Sequence, residues 1–139
     1  MRAFGCIHKA LLRFRAYFFD ALFSTRAWAE CRDDGLRLED FEGEPCHVDL
    51  DLARRTDLAA MAIVFSRRGD DGKPHCTVFA RCYLNETAVI EARSPSYPEW
   101  AATEHSIVTH GDETDFGRIE DDLRGLCERF RGESVGIYP

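Results

Sequence analysis

The sequence lacks the features that define several common classes of protein. It has no stretch of about 18 uncharged apolar residues, which an ordinary membrane-spanning helix needs. Its beginning is not a clean secretory signal, because Arg13 and Arg15 interrupt the apolar stretch and no A-x-A cleavage site follows. It contains no G-x-x-x-x-G-K-[ST] phosphate loop, no internal repeat and no low-complexity segment. These absences favour a soluble globular chain, or part of one, without a nucleotide-driven motor.

Positive charge is also scarce. The 139 residues include 18 Lys and Arg against 25 Asp and Glu, which gives a formal net charge of −7. A chain of this charge does not bind nucleic acid through its overall charge, so a polyanion would have to meet a local basic patch or a metal ion. Apolar residues make up 45% of the chain and aromatic residues 12%, which is enough for one domain with a real core.

The six cysteines show no C-x-x-C pair. This scatter favours reduced thiols of a cytosolic protein, some of them buried. A small zinc-binding domain is an open alternative, because neighbouring strands could bring Cys46 and His47 close to His75, Cys76 and Cys82.

The spacing of apolar residues predicts an α/β chain. An amphipathic pattern predicts a helix over residues 3–23, and three strand-like segments at 47–52, 58–66 and 76–84 predict an antiparallel meander. Residues 85–113 read as irregular. A clear amphipathic helix follows over residues 115–131, with Thr114 or Asp115 as its N-cap. The last segment, 134–138, is expected to pair in parallel with the first strand by a right-handed crossover.

The first predicted strand carries an unusual polar face. Its alternation puts His47, Asp49 and Asp51 on one side and the apolar residues on the other. Two carboxylates on one face repel each other, so they require either a bound cation or exposure to solvent on an edge strand.

Residues 48–60 (VDLDLARRTDLAA) resemble the first strand and turn of the nuclease domain in the large terminase subunits of tailed bacteriophages. Asp51 and Asp57 fall on the two aspartates of that pattern. The resemblance continues through further short motifs at 25–28 (TRAW), 97–101 (YPEWA) and 109–112 (THGD), and covers about residues 14–139.

This resemblance implies a ribonuclease-H-like fold, with a helical connector segment over residues 1–43 and part of the nuclease domain over residues 44–139. It also implies metal-dependent endonucleolytic cutting of double-stranded DNA during genome packaging, in the cytoplasm of a bacterial host. Asp51, with Asp49 and Asp57 nearby, would bind Mg²⁺ or Mn²⁺, and Arg54 and Arg55 would contact a DNA phosphate. The implied protein partners are the small terminase subunit and the portal.

The sequence departs from the family pattern in two places. Asp49 stands where the family usually has a glycine, two residues before the first catalytic aspartate. The family's second acid follows the fourth strand, whereas this sequence ends Ile137-Tyr138-Pro139, and the segment that would carry the third acid is missing. These departures predict a C-terminally incomplete nuclease domain. The alternative is a catalytically dead remnant that acts through protein interaction or associates with itself along an open sheet edge.

Overall fold

The structure is a computed structural model that describes residues 29–55 and 57–138. The predicted helix over residues 3–23 lies outside the described residues. Within them, the elements are a 3₁₀ helix Leu38–Phe41, strands β1 Pro45–Asp51, β2 Ala59–Arg68 and β3 Pro74–Asn85, helices α1 Glu86–Ile90 and α2 Tyr97–Ala102, strand β4 Ile107–Thr109, helix α3 Phe116–Arg129 and strand β5 Arg131–Tyr138. No helix of this part of the chain is long and apolar enough to span a membrane.

The five strands form one mixed sheet in the order β4-β3-β2-β1-β5. Strands β1, β2 and β3 pair as an antiparallel meander, and β5 pairs in parallel with β1 after the crossover through α3. The predicted α/β fold with its meander, helix and final parallel strand is therefore confirmed. The crossover brings Tyr138 opposite Asp51, so the ends of β5 and β1 lie side by side.

The segment 85–113, expected to be irregular, is the main correction to the predicted fold. It contains α1, α2 and the short strand β4, which pairs in parallel with β3 at the far edge of the sheet. Asn85 starts α1 by accepting a hydrogen bond from the amide of Ala88 at 2.8 Å, and Pro98 lies in the first turn of α2. Each element is too short to leave a periodic pattern in the sequence.

The main core lies between one face of the sheet and the elements that cover it. The alternation of the strands turns their large apolar side chains to this face, where the 3₁₀ helix and α3 pack against them. Helix α3 begins at an N-cap, Asp115, whose carboxylate accepts from the amides of Gly117 and Arg118. The buried residues of this core include Leu38, Phe41, Val48, Leu50, Met61, Ile63, Phe65, Phe79, Ile119, Leu126 and Phe130.

A smaller apolar cluster lies near the C-terminal end of β3. Leu84 and Ala88 pack there with Tyr97 and Trp100 of α2, and all four are buried. Trp100 is therefore a core residue. This cluster also contacts Leu58, which directly precedes β2, so it supports the end of the sheet at which the turn from β1 to β2 lies.

Candidate functional site at the end of strand β1

Strand β1 divides its side chains between the core and solvent as predicted. Val48 and Leu50 are buried, whereas His47, Asp49 and Asp51 are exposed on the other face. Strand β1 is nevertheless an interior strand between β2 and β5, so the expectation that exposure would mean an edge strand is wrong. The two carboxylates instead lie on the open face of a paired sheet.

Three of the four residues registered with these carboxylates are small, and the fourth is Tyr138 beside Asp51. Asp49 is registered with Ala62 on β2 and Gly136 on β5, and Asp51 is registered with Ala60. A methyl group at position 136 would collide with the Asp49 carboxylate, so the glycine makes room for it. The glycine usual in the family is absent from β1, where Asp49 stands. A glycine, Gly136, lies opposite Asp49 on the neighbouring strand β5.

Asp57 lies in the turn between β1 and β2, exposed and two residues before β2 begins. It is therefore at the same end of the sheet as Asp51. Among residues 29–55 and 57–138, no three His, Cys, Asp or Glu side chains are close enough to hold a metal ion. The cysteine and histidine residues considered for zinc are therefore not gathered into a metal-binding group in the described chain.

Arg54 and Arg55 share one carboxylate in the structure. Arg54 donates through Nε to Glu113 Oε2 at 2.9 Å, Arg55 donates through Nε to Oε1 at 2.7 Å, and Nη2 of Arg55 lies in an ion pair 2.6 Å from the same oxygen. The hydrogen bond from Arg55, followed by that from Arg54, lowers the pKa of Glu113, and Glu113 in turn raises the pKa of Arg55. Glu113 was not anticipated from the sequence, because it lies 58 residues beyond Arg55 and just outside the short motif at 109–112.

The backbone of the same turn is also fixed. The carbonyl of Arg54 accepts from the amide of Thr114 at 2.8 Å. The carbonyl of Arg55 accepts from Asn85 Nδ2 at 3.1 Å and from Arg93 Nη1 at 2.6 Å. Asn85 is completely buried, and its side chain joins the start of α1 to this turn. An Asn before a helix is a recognisable N-cap signal, but its second contact depends on the tertiary fold.

One solved structure among the comparisons with known proteins supports this architecture. No protein-family model matches the chain. The protein YmfN of Escherichia coli (strain K12) is 29% identical over 111 residues, which make up 75% of this chain and 24% of that protein. The crystal structure of the HK97 bacteriophage large terminase matches with a TM-score of 0.59 and 22% identity, over 81% of this chain and 22% of that one. The chain thus spans about a quarter of the length of either protein.

The resemblance seen in the sequence is confirmed at the level of the fold: this chain is similar to part of a phage large terminase and has its ribonuclease-H-like architecture.

Proposed function

We propose that the chain cuts double-stranded DNA in a metal-dependent reaction of phage genome packaging, as the nuclease portion of a terminase. The observation that carries this proposal is the position of Asp51, which lies exposed at the end of an interior strand, between β2 and β5. The small terminase subunit and the portal are the proposed protein partners, and the bacterial cytoplasm is the proposed place of action.

The carboxylates suit a hard cation in chemical type. Mg²⁺ and Mn²⁺ prefer oxygen ligands, and Mg²⁺ is commonly held by one or two carboxylates together with water and substrate phosphates. Asp51 and Asp49 are the proposed ligands, with Asp57 near the same end of the sheet. Such ions make water a stronger nucleophile and stabilise the leaving oxygen in phosphodiester cleavage. These side chains do not form a complete metal-binding group by themselves, so water and substrate phosphates would have to supply the other ligands.

A plasmid-nicking assay tests the proposal directly. We expect the purified chain to relax supercoiled plasmid in the presence of Mn²⁺ or Mg²⁺ but not EDTA, and Asp51→Asn to abolish the cutting because it removes the ligand charge at nearly constant size. Asp70→Asn is the matched control, since Asp70 is an exposed aspartate in the turn between β2 and β3 at the other end of the sheet. Cutting that persists in Asp51→Asn would assign the activity to another site or a contaminant.

Strand β5 favours a second candidate function, association through the sheet edge. Its outer side has no neighbouring strand among the described residues, and Val135, Ile137 and Tyr138 are 45%, 60% and 61% exposed. An exposed strand of this kind can pair with another chain. If a folded protein cuts no DNA but forms dimers that Ile137→Lys dissociates in light-scattering measurements, this function replaces the nuclease.

A further inference from the structure

We infer that Arg54 and Arg55 form a binding site for a phosphate diester of double-stranded DNA, and that Glu113 is the residue that positions both guanidinium groups. The inference rests on the proposed function, because it takes DNA as the ligand. It adds Glu113, which no sequence motif indicated. The negative charge of Glu113 would be expected to weaken DNA binding, whereas the inference gives it a role that strengthens binding.

The contacts of the two arginines leave donors available for a second anion. Glu113 engages Arg54 through Nε alone and Arg55 through Nε and Nη2. Both Nη groups of Arg54 and Nη1 of Arg55 make no hydrogen bond to another described residue. The side chains of Arg54 and Arg55 are 72% and 63% exposed, against 30% for Glu113. The Glu113 carboxylate therefore holds the two arginines from one side, and their remaining Nη groups are left for a ligand from solvent.

The turn between β1 and β2 is fixed by hydrogen bonds to distant parts of the chain, unlike a loop that contacts only solvent. Both arginine carbonyls accept hydrogen bonds from residues distant in sequence, one from Thr114 and one from Asn85 and Arg93. Backbone and guanidinium groups are thus both fixed before any ligand arrives. A guanidinium fork fixed in this way loses little conformational entropy when it binds a phosphate.

Charge and position point to a phosphate of the proposed substrate. The side chains of Arg54, Arg55 and Glu113 together carry a charge of +1, with Asp112 a further negative neighbour of Arg55, on a chain whose net charge is −7. Arg54 follows Asp51 by three residues, so at most about 11 Å of extended chain separates their Cα atoms. A phosphate on the arginine pair would therefore hold the DNA backbone beside the carboxylates, and guanidinium groups bind phosphate oxygens in paired geometry.

Binding is tested separately from cutting. Fluorescence anisotropy of a labelled 20-base-pair duplex in EDTA measures the Kd without cleavage. We expect Arg54→Gln and Arg55→Gln each to raise the Kd by about tenfold, as the loss of a charge-assisted hydrogen bond implies. Each should also lower the slope of log Kd against log salt by about 1, because one phosphate contact is lost.

The variants of Glu113 give the decisive comparison. If Glu113 acted only through its negative charge, Glu113→Gln would strengthen DNA binding. We expect the reverse: Glu113→Gln and the charge-preserving Glu113→Asp both raise the Kd, by about three- to tenfold, because the arginines are no longer held in place. Glu120→Gln is the control, since it removes one charge from an exposed Arg124–Glu120 pair on α3 and should leave the Kd unchanged or lower it. Circular dichroism confirms that each variant is folded.

The outcomes separate this inference from the proposed function. If Glu113→Gln binds as tightly as Glu120→Gln, or if the duplex is not bound at all, the inference is overturned. If the arginine variants bind normally while the wild type cuts DNA, the nuclease proposal stands without this site. If binding follows the expected pattern but no cutting occurs with metal, the site stands and the nuclease proposal fails. If Glu113→Gln is unfolded, Glu113→Asp and Arg54→Gln, a substitution at an exposed residue, still test whether the arginine pair binds DNA.

Discussion

At the scale of single residues, Tyr83 is the clearest case of a polar group whose properties follow from its burial. Its side chain is completely buried, and its hydroxyl donates to Asp122 Oδ2 at 2.9 Å. Asp122 also contacts Arg81 at 3.4 Å and Arg118 at 3.3 Å, so one carboxylate connects β3 to α3. Burial, followed by the hydrogen bond to Asp122, raises the pKa of Tyr83 well above its ordinary value.

This raised pKa predicts a loss of stability in alkali. The folded chain keeps the phenol proton at a pH where the unfolded chain releases it, so the contribution is complete below about pH 10 and is lost as the pH rises further. The free energy of unfolding should fall with a slope of up to about 1.4 kcal/mol per pH unit from this group. Urea unfolding between pH 8 and 11 measures it.

Tyr83→Phe should remove this pH dependence and cost about 0.5–1.5 kcal/mol at neutral pH for the lost hydrogen bond. Tyr138→Phe is the matched control, because it removes a phenol that is 61% exposed. Equal alkaline slopes in the wild type and Tyr83→Phe would show that another group is responsible.

The sequence predicts some residues of the candidate site and misses others for a physical reason. The shared face of Asp49 and Asp51 follows from the two-residue period of one strand and needs no tertiary information. Glu113 and Asn85 reach the turn across 58 and 30 residues of chain. The local sequence does not predict the contacts of Glu113 and Asn85 with the turn, because these contacts form only when the intervening elements have folded.

At the scale of the elements, a glycine on β5 makes room for the Asp49 side chain of β1. Ala at position 136 would direct its methyl group into the Asp49 carboxylate, whereas Ala at position 132 would make an ordinary contact 3.5 Å from Cys127 Sγ. The exposed Asp49 side chain can rotate away from a new methyl group. The expected consequence is therefore a displaced carboxylate rather than an unfolded strand.

The two glycine variants should differ in their response to metal if Asp49 is a ligand. In EDTA both Gly136→Ala and Gly132→Ala should keep or slightly raise the melting temperature, since Ala loses less conformational entropy than Gly. In Mn²⁺ the wild type and Gly132→Ala should gain stability by ligand binding, and Gly136→Ala should gain less. Thermal unfolding with and without Mn²⁺ measures the difference. An equal gain in all three proteins would remove Asp49 from the proposed ligands.

Element length explains which parts of the fold the sequence predicts. Strand β2 spans 10 residues and α3 spans 14, and both carry patterns long enough to recognise. Helices α1 and α2 span 5 and 6 residues and β4 spans 3, so neither the helical nor the strand period repeats often enough to be recognised. Their formation depends on caps and on packing against β3, which a periodicity argument cannot see.

At the scale of the whole molecule, the core extends beyond the predicted nuclease segment. Phe41 lies in the 3₁₀ helix before β1, yet it is 1% exposed and packs against Phe65 and Phe79 with ring centroids 4.6 and 5.4 Å away. The division of the chain between residues 43 and 44 stays a prediction. Phe41 nevertheless belongs to the same apolar core as the sheet.

We therefore expect Phe41→Ala to destabilise the whole sheet. The loss should be about 3–5 kcal/mol, the usual cost of removing a buried aromatic ring. Phe116→Ala provides the comparison, because Phe116 is 40% exposed at the start of α3 and should cost far less. Urea unfolding followed by circular dichroism reports both. Equal losses would contradict the assignment of residues 38–41 to the main core.

The global arrangement was predictable where a general rule applies. The right-handed crossover rule places the strand after α3 beside β1, and β5 does pair there. No comparable rule places β4, which follows two short helices and joins the opposite edge of the sheet beside β3. Its position depends on contacts that form only in the folded chain: Ile107 packs against the main core, and Thr109 Oγ1 donates to the Leu84 carbonyl at 3.4 Å.

The turn between β2 and β3 offers a point of attachment for single-molecule work. It is closed by a hydrogen bond from the Gly69 amide to the Lys73 carbonyl at 2.9 Å, and Asp70 in it is exposed. The length of β2 separates this turn from the end that carries Asp51 by about 30 Å. A surface tether at residue 70 would therefore leave the candidate site facing away from the support and accessible to DNA. A fluorophore at the same residue would lie far from that site.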